Sequence, residues 1–248
     1  MTRMRDGFLA AVLAIAVWQL VVWLTGAPHF ILPGPGLVAE ALILNRALIA
    51  EHALVTITEI LIGLGLGSAL GVATAIYLTA SRTAHRLLLP VLVFSQAVPV
   101  FALAPILTLW LGYGLWSKIV MTVLIIYFPV TSAFHDGLSR TDRGLLDLAR
   151  SMGARPGPVL RLIRIPAALP SLGSGLRLAS VYAPIGAVIG EWVGASEGLG
   201  YLMLLASGRA KIDLMFAALF VLAGFTVLLH ASVNLLARWP ERYAAGGA

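Results

Sequence analysis

The sequence predicts an all-α integral membrane protein with about six membrane-crossing helices. Two compositional observations point there: 60% of its 248 residues are hydrophobic and only 11% are charged, and mean hydropathy is +0.95. A soluble domain carries about a quarter of its residues as charges. The third observation is that the apolar residues fall into runs of the length a bilayer demands, roughly 20 residues per helix. No large extramembrane catalytic domain fits beside them, so the chain reads as a single transmembrane domain over 1–248. Cysteine is absent, which excludes disulfides, thiolate chemistry, Cys-ligated zinc and iron–sulfur clusters. The formal charge of +6 comes mostly from Arg placed between apolar runs, a pattern of membrane topology rather than of nucleic-acid binding.

The first apolar run, about 8–24, follows Arg3 and Arg5. It is longer than a signal-peptide core, so it reads as an uncleaved helix. A Pro/Gly-rich link (Pro28, Pro33, Pro35) leads to a weaker stretch, 37–50, carrying Glu40, Asn45 and Arg46. That stretch is amphipathic enough to lie on a membrane surface. The second span covers about 54–80 and the third about 87–111, joined by a six-residue polar link that implies an antiparallel pair. Gly112-Tyr113-Gly114 turns the chain into a fourth span, about 116–134, with Pro129 as a potential kink. The longest polar stretch begins at His135. A fifth span, about 169–193, a Gly-rich loop reaching Lys211 and a sixth span, about 214–237, complete the chain.

With six spans, twelve Lys/Arg fall on one side: Arg3, Arg5, Arg82, Arg86, Arg140, Arg143, Arg150, Arg155, Arg161, Arg164, Arg238 and Arg242. Four fall on the other: Arg46, Lys118, Arg209 and Lys211. The positive-inside rule then places both termini and the 135–165 segment in the cytoplasm.

Neither of the two Lys residues follows Gly, so no phosphate-binding G-x-x-x-x-G-K-[ST] loop is present and the chain does not hydrolyse ATP by itself. Ion-coupled carriers keep carboxylates inside the membrane. The candidates here, Glu59 and Glu191, lie close enough to the outer interface for a water-exposed structural role, with a pathway role as the alternative. Asp213 opens the sixth span as a favourable N-terminal acid. An intramembrane enzyme would have to use a pair such as Ser174 and His230, but Gly173-Ser174-Gly175 equally suits close helix packing. The five His are scattered in sequence and no H-E-x-x-H occurs, which argues against a metal site, and His85 and His135 read as interface residues. Gly63, Gly67 and Gly71, at a four-residue step, permit close approach of another helix. Gln96, Pro99 and Pro105 interrupt the third span, and such residues are tolerated where they face protein or a water-filled path.

The cytoplasmic segment carries the most information. TDRGLLDLARSM, 141–152, forms a helix with Leu145, Leu146, Leu148, Ala149 and Met152 as its apolar positions. Gly153 stands where a left-handed residue ends a helix, Pro156 suits a first helical position, and Pro166 is expected to stop the second helix. The result is a helix-turn-helix elbow over about 140–166, able to lie on anionic lipid or to dock a cytoplasmic partner.

Here the sequence resembles the signature of the inner-membrane permease subunits of binding-protein-dependent ABC importers, which reads E-A-A, three residues, G, nine residues, I-x-L-P. Asp147-Leu148-Ala149, Gly153, Ile163, Ile165 and Pro166 match every interval, with Asp147 for Glu, Leu148 for the middle Ala and Ile165 for Leu. Further stretches resemble the subfamily that imports sulfonates, taurine, nitrate and pyrimidine precursors of thiamine: Leu32-Pro33-Gly34-Pro35, residues 99–112, Gly190-Glu191-Trp192-Val193-Gly194 and Gly198-Leu199-Gly200. Residues 202–220 look closest to permeases for hydroxymethylpyrimidine-type compounds.

The resemblance implies a type I importer permease fold in the cell inner membrane, with a second, identical permease copy, two ATPase subunits that use ATP and Mg, and an external substrate-binding protein. No cofactor would be held by this chain. The elbow would sit in a groove of the ATPase and couple nucleotide-driven closure to alternating access. Substrate would pass between the two permeases near Gln96, Pro99 and Glu191.

Overall fold

The computed structural model describes residues 2–245. Met1 and residues 246–248 of the expected 1–248 domain lie outside it, as do the side chains of Arg3 and Arg242 from the charge count. The described residues form eleven α-helices: α1 (Thr2–Thr25), α2 (Pro35–Leu44), α3 (Arg46–Ala80), α4 (Arg82–Ser95), α5 (Val100–Leu111), α6 (Leu115–Ser139), α7 (Arg143–Ser151), α8 (Pro156–Val159), α9 (Ile165–Gly194), α10 (Leu199–Gly208) and α11 (Ile212–Ala245). A π-helical turn, Leu160–Arg164, joins α8 to α9.

Four helices are long and apolar enough to cross a membrane: α3, α6, the continuous 156–194 helix and α11. The bent pair α4–α5 makes a fifth crossing if it acts as one span. The apolar part of α1, Leu9–Thr25, is at the lower end of the roughly 17–25 residues a span requires.

The core is α6 held between α3 and α9, with α11 and α10 packed against α9 and α2 against α11. Small residues set this spacing. A Cβ on Gly63 would stand 2.6 Å from Thr122, one on Gly67 2.7 Å from Ile126 and one on Gly71 3.0 Å from Val130. Gly175, Gly186 and Gly190 of α9 approach α6 in the same way, so that Thr122 and Val130 are each in contact with a glycine from both neighbouring helices. In lipid, where apolar surface gains little from leaving the solvent, such close backbone packing is a main source of helix association.

Several sequence expectations need correction. The 37–50 stretch does not lie on a membrane surface as one element. Its first part belongs to α2, which buries Val38 and Ala41 in the main core, and α3 begins at Arg46 and extends the second span by two turns. The third span is two helices bent by 97°. Pro99 has no N–H and disfavours helical geometry at Val98, so the helix cannot run through. The Gly-rich loop after the fifth span contains a ten-residue helix, α10. Pro166 does not stop a helix: the backbone widens to a π turn in which the Ile165 N–H reaches Leu160 O, which accommodates a ring that cannot donate to Leu162. The second limb of the elbow is therefore the first turns of the fifth span rather than a separate short helix.

Candidate functional site

The elbow is assembled by local chemistry. Asp142 caps α7, its side chain accepting from Leu145 N at 3.0 Å, where an acid also suits the helix dipole. At the other end Gly153 adopts φ +75°, the Gly153 N–H donates to Arg150 O at 2.9 Å and the Ala154 N–H to Ala149 O at 2.9 Å. This pair of bonds is a Schellman termination, which requires a left-handed residue at that position. Pro156 then starts the next helix.

The four apolar positions of α7 and its C-cap residue Met152 divide between two faces. Leu146 and Ala149 are buried, while Leu145, Leu148 and Met152 point outward, 52%, 58% and 78% exposed. Their spacing of three and four places them in one stripe along the helix. Leu162, 72% exposed, adds a further apolar side chain just beyond. Asp147 is on the surface, paired with Arg150 at 2.9 Å. Ile163 and Pro166 are half-buried, and Ile165 packs on the small cluster of Ala75, Phe134, Leu138 and Ala168 that anchors the elbow to α3 and α6.

At the opposite end of the bundle the helices enclose a polar network that sequence reasoning did not assemble. Glu59 and Glu191, expected near water, are both 1% exposed, and their carboxyls are in direct contact. Glu191 accepts from Thr56 Oγ1 at 2.6 Å and from the backbone N–H groups of Gly200 and Tyr201, so it caps the start of α10. Thr56 Oγ1 in turn accepts from Leu199 N at 2.7 Å, and His52 Nδ1 accepts from Gly198 N at 3.0 Å. Gly198 has φ +108° and its missing Cβ would overlap the Glu191 carboxyl. The network explains the Gly-rich sequence there: only glycine lets the backbone close over a buried carboxyl. Lys118 is 5% exposed and donates to Tyr113 O at 2.8 Å and Gly114 O at 3.1 Å.

Of the other pathway candidates, Gln96 and Pro99 lie exposed at the α4–α5 bend, where Gln96 ends α4 and Pro99 precedes α5. Glu191, by contrast, is enclosed by its capping bonds. The imagined Ser174–His230 pair does not form. Ser174 Oγ bonds to Pro170 O of its own helix at 3.2 Å, and His230 meets Ser180 at 3.1 Å. His85 and His135, far apart in sequence, stand with ring centres 5.3 Å apart near the elbow end.

The elbow geometry accompanies a family match. Residues 63–242 match the family of the binding-protein-dependent transport system inner membrane component. This chain belongs to that family. It is a multi-span permease subunit of an ABC importer, a class in which the ATPase is a separate subunit and an external binding protein delivers the solute. A probable ABC transporter permease of Haemophilus influenzae is 50% identical, covering 94% of this chain and 96% of its own length. The formylaminopyrimidine transport permease ThiX of Halalkalibacterium halodurans is 36% identical over 92% of this chain and 93% of its own. The riboflavin transport permease RibX of Chloroflexus aurantiacus is 37% identical over 94% and 88%. Among solved structures, the permease fold is matched by an inward-facing form of the MetNI methionine ABC transporter, with TM-score 0.70 and 19% identity over 79% of this chain and 97% of that one.

Proposed function

We propose that this permease forms the translocation pathway for a pyrimidine precursor of thiamine, of the hydroxymethylpyrimidine type. It works as an identical pair with two ATPase subunits that bind ATP and Mg, and with both termini in the cytoplasm. The observation carrying the cargo reading is the similarity, over nearly the whole chain, to a permease named for formylaminopyrimidine. The similar identity to a riboflavin permease favours a second reading, a larger nitrogen heterocycle. Sulfonate, taurine or nitrate remains the competing cargo class.

The coupling role rests on the elbow. Three exposed apolar side chains in one stripe, Leu145, Leu148 and Met152, on a helix whose end is pinned by Gly153, present a rigid surface that a cytoplasmic partner can cover. Closure of the ATPase pair would move α7, and the unbroken 156–194 helix would carry that motion into the membrane. Asp147, Leu148, Ala149, Gly153, Ile163, Ile165 and Pro166 are assigned to this coupling, with Ala149 and Ile165 acting from the buried side.

Two measurements test the proposal. Affinity purification of the tagged chain from gently solubilised native membranes, followed by mass spectrometry, is expected to retain an ABC ATPase at about equal abundance. Uptake by the reconstituted transporter with its binding protein is expected for radiolabelled hydroxymethylpyrimidine. ATP-dependent uptake of taurine with none of the pyrimidine would overturn the cargo.

A further inference from the structure

At the elbow end of the bundle, between α3, α4 and α6, lies a cavity of about 310 Å³, at the lower edge of the roughly 300–1,000 Å³ of small-molecule sites. Leu78, Leu89, Leu92 and Phe128 give it apolar walls. His85 of α4 and His135 and Asp136 of α6 supply its ionisable side chains, and no Lys or Arg lines it.

Hydrogen bonding decides which nitrogen of His135 is free. Its Nδ1 stands 3.2 Å from Thr79 Oγ1. That hydroxyl has one hydrogen and donates it to Ala75 O at 2.9 Å, so towards the imidazole it accepts. In the neutral ring Nδ1 therefore carries the hydrogen and Nε2 the lone pair. Nε2 has no hydrogen-bond partner in the fold. His135 is only 7% exposed, yet this atom is not sealed. Among the described residues, the buried side-chain polar atoms with neither a partner nor open surface are Trp18 Nε1, Glu59 Oε2 and Ser68 Oγ. His135 lines the cavity, so an oriented acceptor on a buried side chain opens into it. Buried polar groups are nearly always paired, and neither capping nor helix packing uses this one. Among the described residues no three His, Asp or Glu converge to hold a metal, which leaves a hydrogen-bond donor as the fitting partner.

We propose that this cavity is a binding site on the permease for a small, flat, uncharged nitrogen heterocycle bearing an amino group. The amino N–H donates to His135 Nε2, and the ring lies against Phe128 and the aliphatic walls. This rests on the pyrimidine reading of the cargo and deepens it. A sulfonate or nitrate is a poor occupant: it brings acceptor oxygens and a negative charge to a lone pair and the Asp136 carboxylate, with no fixed cation in the lining. An oriented lone pair rewards the ligand that brings a hydrogen and is left unpaired by one that does not, which is how buried polar groups generate specificity.

The test is a saturation-transfer NMR titration of the intact permease in lipid nanodiscs, a method that registers weak binding. The probes are 4-amino-2-methylpyrimidine and its shape-matched analogue 2,4-dimethylpyrimidine, which has no donor. The expected dissociation constant is about tenfold lower for the amino probe, the worth of one buried hydrogen bond. His135→Phe, which keeps a flat ring but no lone pair, should erase that preference. Leu89→Trp, which fills the cavity from α4, should remove transfer to both probes. Equal affinity for the two probes in the wild-type protein, a comparison that needs no variant, would overturn the site. So would a preference that survives His135→Phe, or undiminished transfer in Leu89→Trp. Pyrimidine uptake by the full transporter with equal affinity for both probes removes this site alone, whereas taurine uptake without pyrimidine uptake removes the cargo reading itself.

Discussion

Glu191 and Thr56, 135 residues apart in sequence, are joined by a 2.6 Å hydrogen bond that ties the end of the fifth span to the second. The same carboxyl caps α10 and the same hydroxyl accepts from Leu199 N, so one buried pair determines where three helices meet.

Removing either partner should therefore loosen the outer end of the bundle. Thr56→Val leaves Leu199 N and Glu191 each one partner short, which predicts a loss of about 1–3 kcal/mol. Glu191→Ala is expected to cost more, because α10 loses its cap as well. Thermal unfolding of the detergent-purified protein checks the order, and a double-mutant cycle should give a coupling above about 1 kcal/mol. Additive losses would mean that the bond is incidental.

The seam between α3 and α6 has no room for a side chain at Gly67, where a Cβ would lie 2.7 Å from Ile126. Gly67→Leu should destabilise by about 1–3 kcal/mol or more, seen as a lowered melting temperature and poor recovery from the membrane. Gly65→Leu, on the neighbouring open face where nothing stands within 4 Å, is the control and should be tolerated.

Gly153→Val places a β-branched residue at φ +75°, at a cost of roughly 1–2 kcal/mol in local conformation. The elbow's second limb changes direction while the spans remain folded. The expected phenotype is normal membrane insertion with ATP hydrolysis uncoupled from uptake. Normal uptake with normal stimulation of the ATPase would refute the docking role.

Leu148 makes its case by exposure. Leu148→Asp removes an apolar contact from the outward stripe without disturbing Leu146 or Ala149 beneath it. Its melting temperature should match wild type, and retention of the ATPase in affinity purification should fall at least about tenfold, as for a central apolar contact at an interface. Unchanged retention would place the interface elsewhere.

What was legible in the sequence was what local physics determines. Gly153 and Pro156 were readable because helix termination and initiation depend on residues within a turn of each other, whereas Asp142 was read as part of the helix that it caps. The stripe of Gly63, Gly67 and Gly71 was visible because its period is the helix's own, although the residues it meets were not. The third span misled because its summed hydropathy is indifferent to a bend: Gln96 and Pro99 looked like interruptions of one helix, yet they mark a 97° turn between two. Pro166 misled in the other direction, since a π turn lets the helix continue past a residue that normally ends one.

By itself, then, the sequence determined that this chain lives in a membrane, that its basic residues are concentrated in loops between apolar runs and that one of these loops forms an elbow of the importer-permease kind. These follow from composition and short-range spacing. Only the tertiary structure decided that Glu59, Glu191 and Lys118, drawn from three helices, are buried at one end of the bundle. It also decided which side of α7 is open for docking. The reason is that burial depends on helices distant in the chain, and a charged residue's hydropathy is the same whether it ends in solvent or beneath a glycine.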